Sequence, residues 1–489
     1  MPGRVRPLLT VAIAAALASA LAASATGAHT PARPAKRGSA RRLNVVLILS
    51  DDERVDGSTV MRNVRRLIAG HGVSFNDYFV TTSECGPSRA SILTGLYPHD
   101  SGVLDNFGLH SYPAFDDTST LAVWLHRSGY ETALVGKYLN DYTLYGHNEI
   151  PPGWDDWQVM DSVPMEEYYN YSINDNGRLE HFGDAPQDYS TTVLTRKATS
   201  FIHNARKPFF LYFAPIAPHL PAIPAKQDQG RLENIAPLNT PSMNEANIGD
   251  KPWRAWHKNM LKAAAMLYQR NVRVRQLESL YALDRSVKEV VTALREKHVL
   301  NNTVIIYTSD NGFLWGEHRL GGKLWPYEES THVPLIVRTP WTHHASVDDK
   351  PVLNIDLAPT VSELADVTPS SPEDGRSFVP LLHGRRVRWR KSFVIEYLGR
   401  NQLKVGGPPP YIAVHTRRYL YVEYRRGWRE LYDLRRDPWE LRNVAGSPGY
   451  AAIQASLQTL LHRLYAQPPA PSVAVTTYTG STSDSRSRG

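Results

Sequence analysis

The chain has 489 residues, of which 42% are hydrophobic and 21% are charged. This composition can bury a large core, and it excludes an intrinsically disordered chain. The formal charge of +7 arises at the N-terminus, because residues 1–42 hold seven Lys and Arg residues and no acidic one. The remaining chain is balanced in charge, so we expect no nucleic-acid partner.

The N-terminal segment has the order of a secretory signal. Arg4 and Arg6 precede an apolar run from Leu8 to Ala23, which is followed by small residues. This order predicts a signal peptide over residues 1–25 and a secreted protein, extracellular or periplasmic. A membrane anchor is the alternative, but the run is short and rich in alanine for a span that needs ~20 apolar residues. We therefore expect no stable membrane span.

Residues 26–42, rich in Pro, Ala, Ser and Arg, read as a linker, and ordered structure is expected from Asn44. Beyond them, short apolar runs alternate with longer mixed segments, which predicts an α/β fold with a central, mostly parallel sheet flanked by helices. Residues 220–270 resist assignment. The predicted strands are Asn44–Leu49, Glu131–Val135, Pro208–Phe213, Val304–Thr308 and Pro334–Val337. The predicted helices are Met61–Gly70, Thr120–Ser128, Val274 to about Lys297, and Ile355–Ala365.

The pattern changes from about residue 375. Apolar and polar residues then alternate as in antiparallel strands, and an amphipathic helix closes the segment. We therefore divide the folded chain into a large domain over 43–374 and a small antiparallel α+β subdomain over 375–466, followed by a disordered tail over 467–489. The C-terminal elements are Phe393–Tyr397, Tyr411–His415, Tyr419–Tyr424 and the helix Ala451–Tyr465.

Polar side chains follow four of the predicted strands. In open α/β sheets, ligands bind beyond the carboxyl ends of the strands, so we expect these side chains to meet at one edge. Two of the strands end in acidic or amide pairs, whose oxygens suit Ca²⁺ or Mg²⁺ better than zinc. Either pair alone is equally typical of a turn or a helix cap, but two pairs at equivalent positions favour a divalent metal site. The residues at these strand ends are Asp51, Asp52, Lys137, His219, Asp310 and Asn311.

The single cysteine, Cys85, cannot form an intramolecular disulfide. A lone cysteine is most often a small buried apolar residue. Here Pro87 and Ser88 suit the first turn of a helix that ends at Gly95. Cys85 would then lie at a helix N-terminus, which favours an anion, with the planar guanidinium of Arg89 one turn further on.

Residues 85–95 resemble the sulfatase signature Cys-x-Pro-Ser-Arg-x-x-x-Leu-Thr-Gly and match it at every fixed position. The resemblance extends over roughly residues 43 to 445 and implies an alkaline-phosphatase-like large domain. Leu139 stands two positions after Lys137, where many arylsulfatases carry a histidine, so the role of that histidine is unfilled in this sequence. With Tyr97-Pro98-His99, this form is most similar to the branch of N-acetylglucosamine-6-sulfatases and arylsulfatases.

The resemblance implies that a formylglycine-generating enzyme oxidises Cys85 to an aldehyde, whose hydrate attacks the sulfur of a sulfate ester. The second hydroxyl of the hydrate then expels sulfate, which a plain serine or cysteine could not do. The resemblance also implies a metal ion, Ca²⁺ ahead of Mg²⁺, which lowers the pKa of the attacking hydroxyl. Its ligands would be Asp51, Asp52, Asp310, Asn311 and an oxygen of residue 85.

The remaining residues of the resemblance serve the substrate, a sulfated small molecule or glycan such as an aryl sulfate or N-acetylglucosamine 6-sulfate. Arg89 would orient the hydrate, and His219 or Lys323 would protonate the leaving alcohol. Asn106 is a further candidate for the pocket. The residues expected to hold the sulfate oxygens are Lys137, His219 and Lys323.

Two other functions were weighed. A phosphate or phosphonate ester hydrolase of the same superfamily is the alternative enzyme, because relatives that use formylglycine include such enzymes. Relatives with Ser or Thr at this position need two zinc ions held by a set rich in His and Asp, whereas the ligand set here is oxygen-only. A non-catalytic glycan-binding protein would be expected to lack at least one chemical residue, and all of them are present here.

Overall fold

The computed structural model describes residues 42–146, 149–161, 167–254, 259–399 and 407–470. The predicted signal peptide and nearly all of the predicted linker and tail lie outside these ranges. In the described ranges, no helix combines the length and the apolar character that crossing a membrane requires.

The described chain alternates strands and helices from Asn44 to Tyr465. The strands are β1 (Asn44–Ser50), β2 (Gly72–Phe75), β3 (Tyr78–Phe79), β4 (Glu131–Gly136), β5 (Asp156–Met160), β6 (Tyr171–Asp175), β7 (Arg178–Phe182), β8 (Phe209–Ala214), β9 (Thr303–Ser309), β10 (Leu314–Trp315), β11 (Gly321–Gly322), β12 (Leu335–Arg338), β13 (Ser346–Asp348), β14 (Val352–Leu353), β15 (Ser392–Tyr397), β16 (Tyr411–Thr416), β17 (Tyr419–Tyr424) and β18 (Arg429–Asp433). The helices are α1 (Cys85–Thr94), α2 (Pro98–Ser101), α3 (Leu121–Arg127), α4 (Tyr142–Tyr145), α5 (Ser190–Asn204), α6 (Ala263–Glu296), α7 (Glu328–Thr331), α8 (Leu357–Ala365), α9 (Val379–Leu382) and α10 (Ala451–Tyr465).

A ten-stranded sheet forms the centre of the large domain, in the order β13-β2-β12-β9-β1-β8-β4-β5-β6-β7. The five central strands, from β9 to β5, are parallel. Antiparallel strands β12 on one side and β6 and β7 on the other extend the sheet. Every residue of β1 and β9 is buried, as expected for parallel strands that are covered on both faces. The predicted α/β fold is confirmed.

The two faces of the sheet carry separate hydrophobic cores, because successive side chains of a strand point to opposite sides. Val45 and Leu47 of β1 lie in one core together with residues of α1, α3 and α8. Val46 and Ile48 lie in the other core, which is covered by α5 and α6. Helices on both faces thus fix the sheet and leave the carboxyl ends of its strands open.

Of the four helices predicted in the large domain, two agree with the structure and two differ. Helices α3 and α8 agree with the prediction. The segment predicted as a helix from Met61 instead forms a short π-helical turn, Val64–Ile68, and a 3-10 turn, Ala69–His71. Helix α6 begins at Ala263, well before the predicted Val274, within the segment that had resisted assignment.

The C-terminal part is an antiparallel sheet in the order β15-β16-β17-β18. Helix α10 packs on one face, where Leu457 and Leu461 join Val414 of β16. The other face packs against loops of the large domain around Phe79 and Trp325. The predicted antiparallel α+β unit is therefore confirmed, while its boundary near residue 375 stays a prediction.

Strand β1 is central to both cores, so we expect Leu47→Ala to lower the free energy of unfolding by about 2–5 kcal/mol. Leu47 is fully buried, and the substitution leaves a cavity in close-packed surroundings. Urea unfolding of the purified protein measures the change. Leu179→Ala in β7 is the matched control, because Leu179 is 53% exposed and its loss should change stability by less than about 0.5 kcal/mol. Equal effects of the two substitutions would contradict this account of the core.

Candidate active site

Strands β1, β4, β8 and β9 end at the same edge of the sheet, and each delivers polar residues predicted from the sequence. The main chains beyond these ends are joined by hydrogen bonds. Asp310 N donates to Ser50 O at 3.2 Å, and Lys137 N donates to Ala214 O at 2.8 Å. The loops that carry the site are therefore anchored to one another directly where the strands end.

Two backbone positions next to the site have unusual conformations. Gly136, at the end of β4, has φ +123°, and a Cβ built on it would lie 2.1 Å from Ala214 O. Only glycine fits there, so β4 can stay close to Ala214 of β8 as the chain enters the site at Lys137. Asp52 has φ 70° without being glycine. Such a conformation costs about 1–3 kcal/mol and is common at functional sites.

Asp51 is the fully buried centre of the charge cluster. Its Oδ2 atom lies 2.7 Å from Lys137 Nζ and 3.4 Å from Arg89 Nη2. Arg89 also donates from Nε to Asp310 Oδ2 at 2.8 Å and from Nη1 to the Lys137 carbonyl at 2.8 Å. Burial acts to raise the pKa of Asp51, but the surrounding cations, Lys137 first, outweigh burial and hold that pKa well below its ordinary value. Asp51 is therefore ionised.

Asp52 connects the second half of the cluster. Its main-chain N–H donates to Asp310 Oδ1 at 3.1 Å, and its Oδ1 accepts from Asn311 Nδ2 at 2.6 Å. Lys323 Nζ lies 2.5 Å from the same oxygen, and His219 Nε2 lies 3.5 Å from Asp52 Oδ2. The structure thus brings residues from the ends of β8 and β9 and from one distant loop onto the Asp52 carboxylate at the end of β1.

Cys85 begins helix α1, as the sequence predicts, and Gly95 ends the helix in the left-handed conformation. The Cys85 Sγ atom lies 3.3 Å from Asp51 Oδ1 and 2.6 Å from Lys323 Nζ. Burial, followed by the charge of Asp51, raises the pKa of the thiol well above its ordinary value. The cysteine is buried within a polar cluster, rather than packed as an apolar core residue.

Asn106 lies beside the helix N-terminus. Its Oδ1 accepts from Gly86 N at 2.7 Å, and its main-chain N–H donates to Glu84 Oε1 at 3.2 Å. Asn106 therefore holds the first turn of α1 and also lines the cavity above Cys85. Its amide is committed to the backbone, which gives it a positioning function that the sequence did not indicate.

His219 sits at the rim of the cluster, with its side chain 20% exposed. Its Nδ1 atom lies 2.6 Å from Leu220 O and donates to it, since a carbonyl oxygen can only accept. Nε2 is consequently the nitrogen that faces Asp52 and the cavity. The peptide bonds on both sides of this segment, Ala217–Pro218 and Leu220–Pro221, are cis.

A cavity of about 460 Å³ opens above these groups. Glu84, which precedes Cys85, is one lining residue that the sequence analysis missed. Burial, followed by Asp105, raises its pKa to about 8, so it is largely protonated at neutral pH. Its position next to the signature was the only sequence signal. The cavity is lined by Asp52, Glu84, Asn106, His219, Tyr268, Gln269, Phe313, Lys323 and Trp325, among others.

Leu139 is fully buried in the hydrophobic core beneath the sheet. The position that carries a histidine in many arylsulfatases therefore offers an apolar side chain here, and it contributes packing rather than a polar group.

The cluster offers oxygen donors that fit a hard cation. Asp51, Asp52 and Asp310 each present a carboxylate, and ligand atoms of the first two lie within 4.8 Å of atoms of Cys85 and His219. Asn311 Oδ1 is buried and has no hydrogen-bond partner in the described part of the chain. An unsatisfied buried oxygen beside carboxylates suits Ca²⁺ or Mg²⁺, which take oxygen ligands.

The central parallel sheet, the helix N-terminus at Cys85 and the cations around it define an α/β protein with a site suited to an anionic group. Comparison with known sequences identifies the family. The sulfatase family profile matches residues 43–367, and the profile described as N-sulphoglucosamine sulphohydrolase, C-terminal, matches residues 316–467. The chain belongs to the sulfatase family.

Several curated relatives are similar to this chain. The human N-acetylglucosamine-6-sulfatase is 33% identical over 380 residues, which cover 74% of this chain and 68% of that protein. The extracellular sulfatase SULF-1 homolog of Drosophila melanogaster is 35% identical over 386 residues, 76% of this chain and 34% of that protein. The chain spans about a third of the fly relative's length and 52% of the related Caenorhabditis elegans protein.

Solved structures share the fold. One, a protein in complex with its substrate D-glucosamine-2-N, 6-O-disulfate, is 24% identical with a TM-score of 0.72 and covers 86% of this chain and 97% of that one. The phosphonate monoester hydrolase of Agrobacterium radiobacter is 23% identical with the same TM-score of 0.72, covering 87% of this chain and 96% of that one. At these identities the likeness concerns the fold alone.

Arg89 bridges two buried aspartates, so we expect Arg89→Met to lower the free energy of unfolding by about 3–5 kcal/mol, because two carboxylates lose their shared partner. Methionine keeps most of the apolar stem, which separates charge from packing. Urea unfolding in the presence of a metal chelator gives the value. The matched control is Arg436→Met, whose side chain is 74% exposed and lies 4.0 Å from Asp433, so that its loss should change stability little. Similar losses from both substitutions would contradict a stabilising role of the buried guanidinium.

Proposed function

We propose that this protein hydrolyses sulfate esters with residue 85 in the formylglycine form. The observation that carries the proposal is the placement of Cys85 at the N-terminus of α1, in contact with the Asp51 carboxylate and the Lys323 ammonium. Formylglycine would supply a hydrated aldehyde as the nucleophile and a second hydroxyl for release of sulfate. A formylglycine-generating enzyme would be the partner that oxidises Cys85.

The residues around position 85 are suited to bind and orient a sulfate group. Lys137 and Lys323 bring two ammonium groups to Asp51 and Asp52, where an anion with three free oxygens would be neutralised. Arg89 supports this arrangement from beneath, because its guanidinium is fixed to Asp51 and Asp310. Together with the dipole of α1, whose N-terminus lies at Cys85, these cations favour the charge that develops on the sulfate oxygens.

Two groups are placed to move a proton at the leaving oxygen. His219 Nε2 faces the cavity, because Nδ1 is occupied by Leu220 O. Lys323 Nζ also reaches the cavity, and although burial acts to lower its pKa, Asp52 and Cys85 raise that pKa well above its ordinary value. Lys323 therefore stays charged and suits sulfate binding, which leaves His219 as the preferred proton donor for the departing alcohol.

Asp51, Asp52, Asp310 and Asn311 would hold Ca²⁺, with Mg²⁺ as the less favoured ion. The fit rests on their oxygen-only donor set and on the unpartnered Asn311 Oδ1 atom. The ion would lower the pKa of the attacking hydroxyl and neutralise part of the sulfate charge.

A sulfated sugar is the substrate class that we favour, with N-acetylglucosamine 6-sulfate or an aryl sulfate as the test compounds. The names of the relatives that match most of this chain support the first, and a cavity of about 460 Å³ accommodates a monosaccharide. Tyr268 and Trp325 line the cavity and offer aromatic faces against which a sugar ring can pack. The predicted signal peptide and the extracellular relatives support a secreted enzyme.

We also propose that the large domain ends at residue 374 and that the C-terminal subdomain begins at residue 375.

Phosphonate or phosphate ester hydrolysis is the second candidate. It is favoured by the fold shared with the phosphonate monoester hydrolases and by a cation cluster that would bind either tetrahedral anion. The two candidate functions are distinguished by comparing the turnover of a sulfate ester with that of a phosphonate ester of the same alcohol.

The proposal is tested by expressing the protein with a formylglycine-generating enzyme. Mass spectrometry of the peptide containing residue 85 reports the aldehyde, and sulfate release is measured from an aryl sulfate and from N-acetylglucosamine 6-sulfate. We expect an aldehyde with release of sulfate, and we expect Cys85→Ala to lower kcat by at least about 10³-fold. An aldehyde-bearing protein that cleaves phosphonate esters faster than sulfate esters would transfer the assignment to the second candidate. Full activity of Cys85→Ala would refute the mechanism.

Asn311 tests the metal site separately. We expect Asn311→Ala to weaken Ca²⁺ binding at least about tenfold, equivalent to ~1.4 kcal/mol, because one ligand oxygen is lost. Isothermal titration with Ca²⁺ measures the affinity in the unmodified Cys85 protein, where turnover plays no part. Asn106→Ala is the matched control, since the Asn106 amide binds the Gly86 backbone instead of the carboxylates. Unchanged Ca²⁺ affinity in Asn311→Ala would remove this residue from the ligand set.

A further inference from the structure

A second buried group of side chains that could bind a metal ion lies next to the segment between β10 and Lys323. It consists of His318, Glu329 and Glu440, and one ligand atom from each lies within 4.8 Å of the other two. His318 is on the loop between β10 and β11, Glu329 is in α7, and Glu440 follows β18 in the C-terminal sheet. Three separate parts of the fold therefore converge on this point, which we call the His318 cluster.

Each member of the His318 cluster has one polar atom held by a neighbour. His318 Nδ1 lies 2.7 Å from Glu245 Oε2. Glu329 Oε1 accepts from Ser242 Oγ at 3.2 Å, and Glu440 Oε2 accepts from Glu328 N at 3.2 Å. These contacts fix the orientation of all three side chains.

The second polar atom of each of these three side chains has no hydrogen-bond partner within the described ranges. These atoms are His318 Nε2, Glu329 Oε2 and Glu440 Oε1, and all three are buried. His318 is fully buried and Glu440 is 1% exposed. Buried polar atoms without partners are costly, so three of them in one place indicate a missing ligand rather than a packing defect.

The charges of the His318 cluster point to a cation. Lys251 Nζ lies 4.0 Å from Glu245 Oε2 and donates to Tyr432 OH at 2.8 Å and to the Glu440 carbonyl. Arg54 adds positive charge near Glu329, but two further carboxylates, Glu317 and Glu328, also act on Glu329, so negative charge predominates there. Burial, followed by Glu329, raises the pKa of Glu440 well above its ordinary value. Burial, followed by Lys251, lowers the pKa of His318 well below its ordinary value, so this imidazole is neutral and can act as a ligand.

Protons shared among the three groups would be the alternative, but such sharing needs direct hydrogen bonds. The unpartnered atoms make none with one another. An ion with bonds of about 2.0–2.2 Å would fill the space between them with small side-chain adjustments. The contact from Glu245 to His318 Nδ1 is the arrangement by which a carboxylate orients a metal-bound histidine.

We propose that His318, Glu329 and Glu440 bind a divalent transition-metal ion of the zinc class at a site separate from the Asp51–Asp310 cluster. An imidazole nitrogen with two carboxylates favours such an ion over Ca²⁺. The ion joins the C-terminal sheet to the loop that leads to Lys323 and therefore holds that loop in place.

Cobalt(II) is the probe. The full-length Cys85→Ala protein, which lacks the thiol, is stripped with a chelator, saturated with Ca²⁺ and titrated with Co²⁺ while visible absorption is recorded. We expect one tightly bound Co²⁺ per chain, with d–d bands that Zn²⁺ abolishes. His318→Gln should lose the bands, and Glu440→Gln should weaken Co²⁺ binding at least about tenfold.

His332→Gln is the matched control, because His332 is another largely buried histidine paired with a glutamate, Glu328, outside the proposed ligand set. It should bind Co²⁺ as the parent does. If His318→Gln does not fold, Glu329→Gln carries the test, since glutamine keeps the shape and the bond from Ser242. Absence of Co²⁺ uptake by the parent, or equal uptake by the ligand variants, would overturn the proposal. Neither result bears on sulfate ester hydrolysis, which is measured separately.

Discussion

The concentration of negative charge at the carboxyl edge of the sheet is the constraint on which the site depends. Asp51, Asp52 and Asp310 are all buried, and bringing like charges together away from water is unfavourable unless cations accompany them. Arg89 and Lys137 supply that compensation from two different elements. The cluster can therefore form only when helix α1, strand β4 and the ends of β1 and β9 are all in place.

This dependence explains several local features of the chain. Gly136 has to be glycine because a Cβ there would overlap Ala214 O of the neighbouring strand, directly before Lys137. Asp52 is held in a left-handed conformation, which the surrounding hydrogen bonds from Asn311 and to Asp310 maintain. Cys85 then occupies the first position of α1, where the helix dipole and Lys323 both favour negative charge.

The C-terminal sheet participates in the same architecture. Its inner face packs against the loops around Trp325, and Glu440 reaches the His318 cluster behind Lys323. A loop that carries a lysine into the active site is thereby supported on both sides. The small subdomain contributes to the catalytic centre through the position of this loop, without placing a side chain beside Cys85 in the described ranges.

The sequence by itself determined the fold class, the central strands, the N-terminus of α1 at Cys85 and the set of polar residues beyond the strand ends, because apolar runs, capping residues and a specific signature are local features. It did not determine how far α6 extends or that Val64–Ile68 forms an irregular turn. It also did not show that His318, Glu329 and Glu440, from three separate segments, come together in the His318 cluster. The sequence named Asn106 as a pocket candidate but not its contact with the Gly86 backbone, and it did not indicate that Glu84 lines the cavity. Only the tertiary structure decided these, because burial and pairing of charge arise between residues that are far apart along the chain, from about 20 positions for Asn106 and Glu84 to more than 100 for His318 and Glu440.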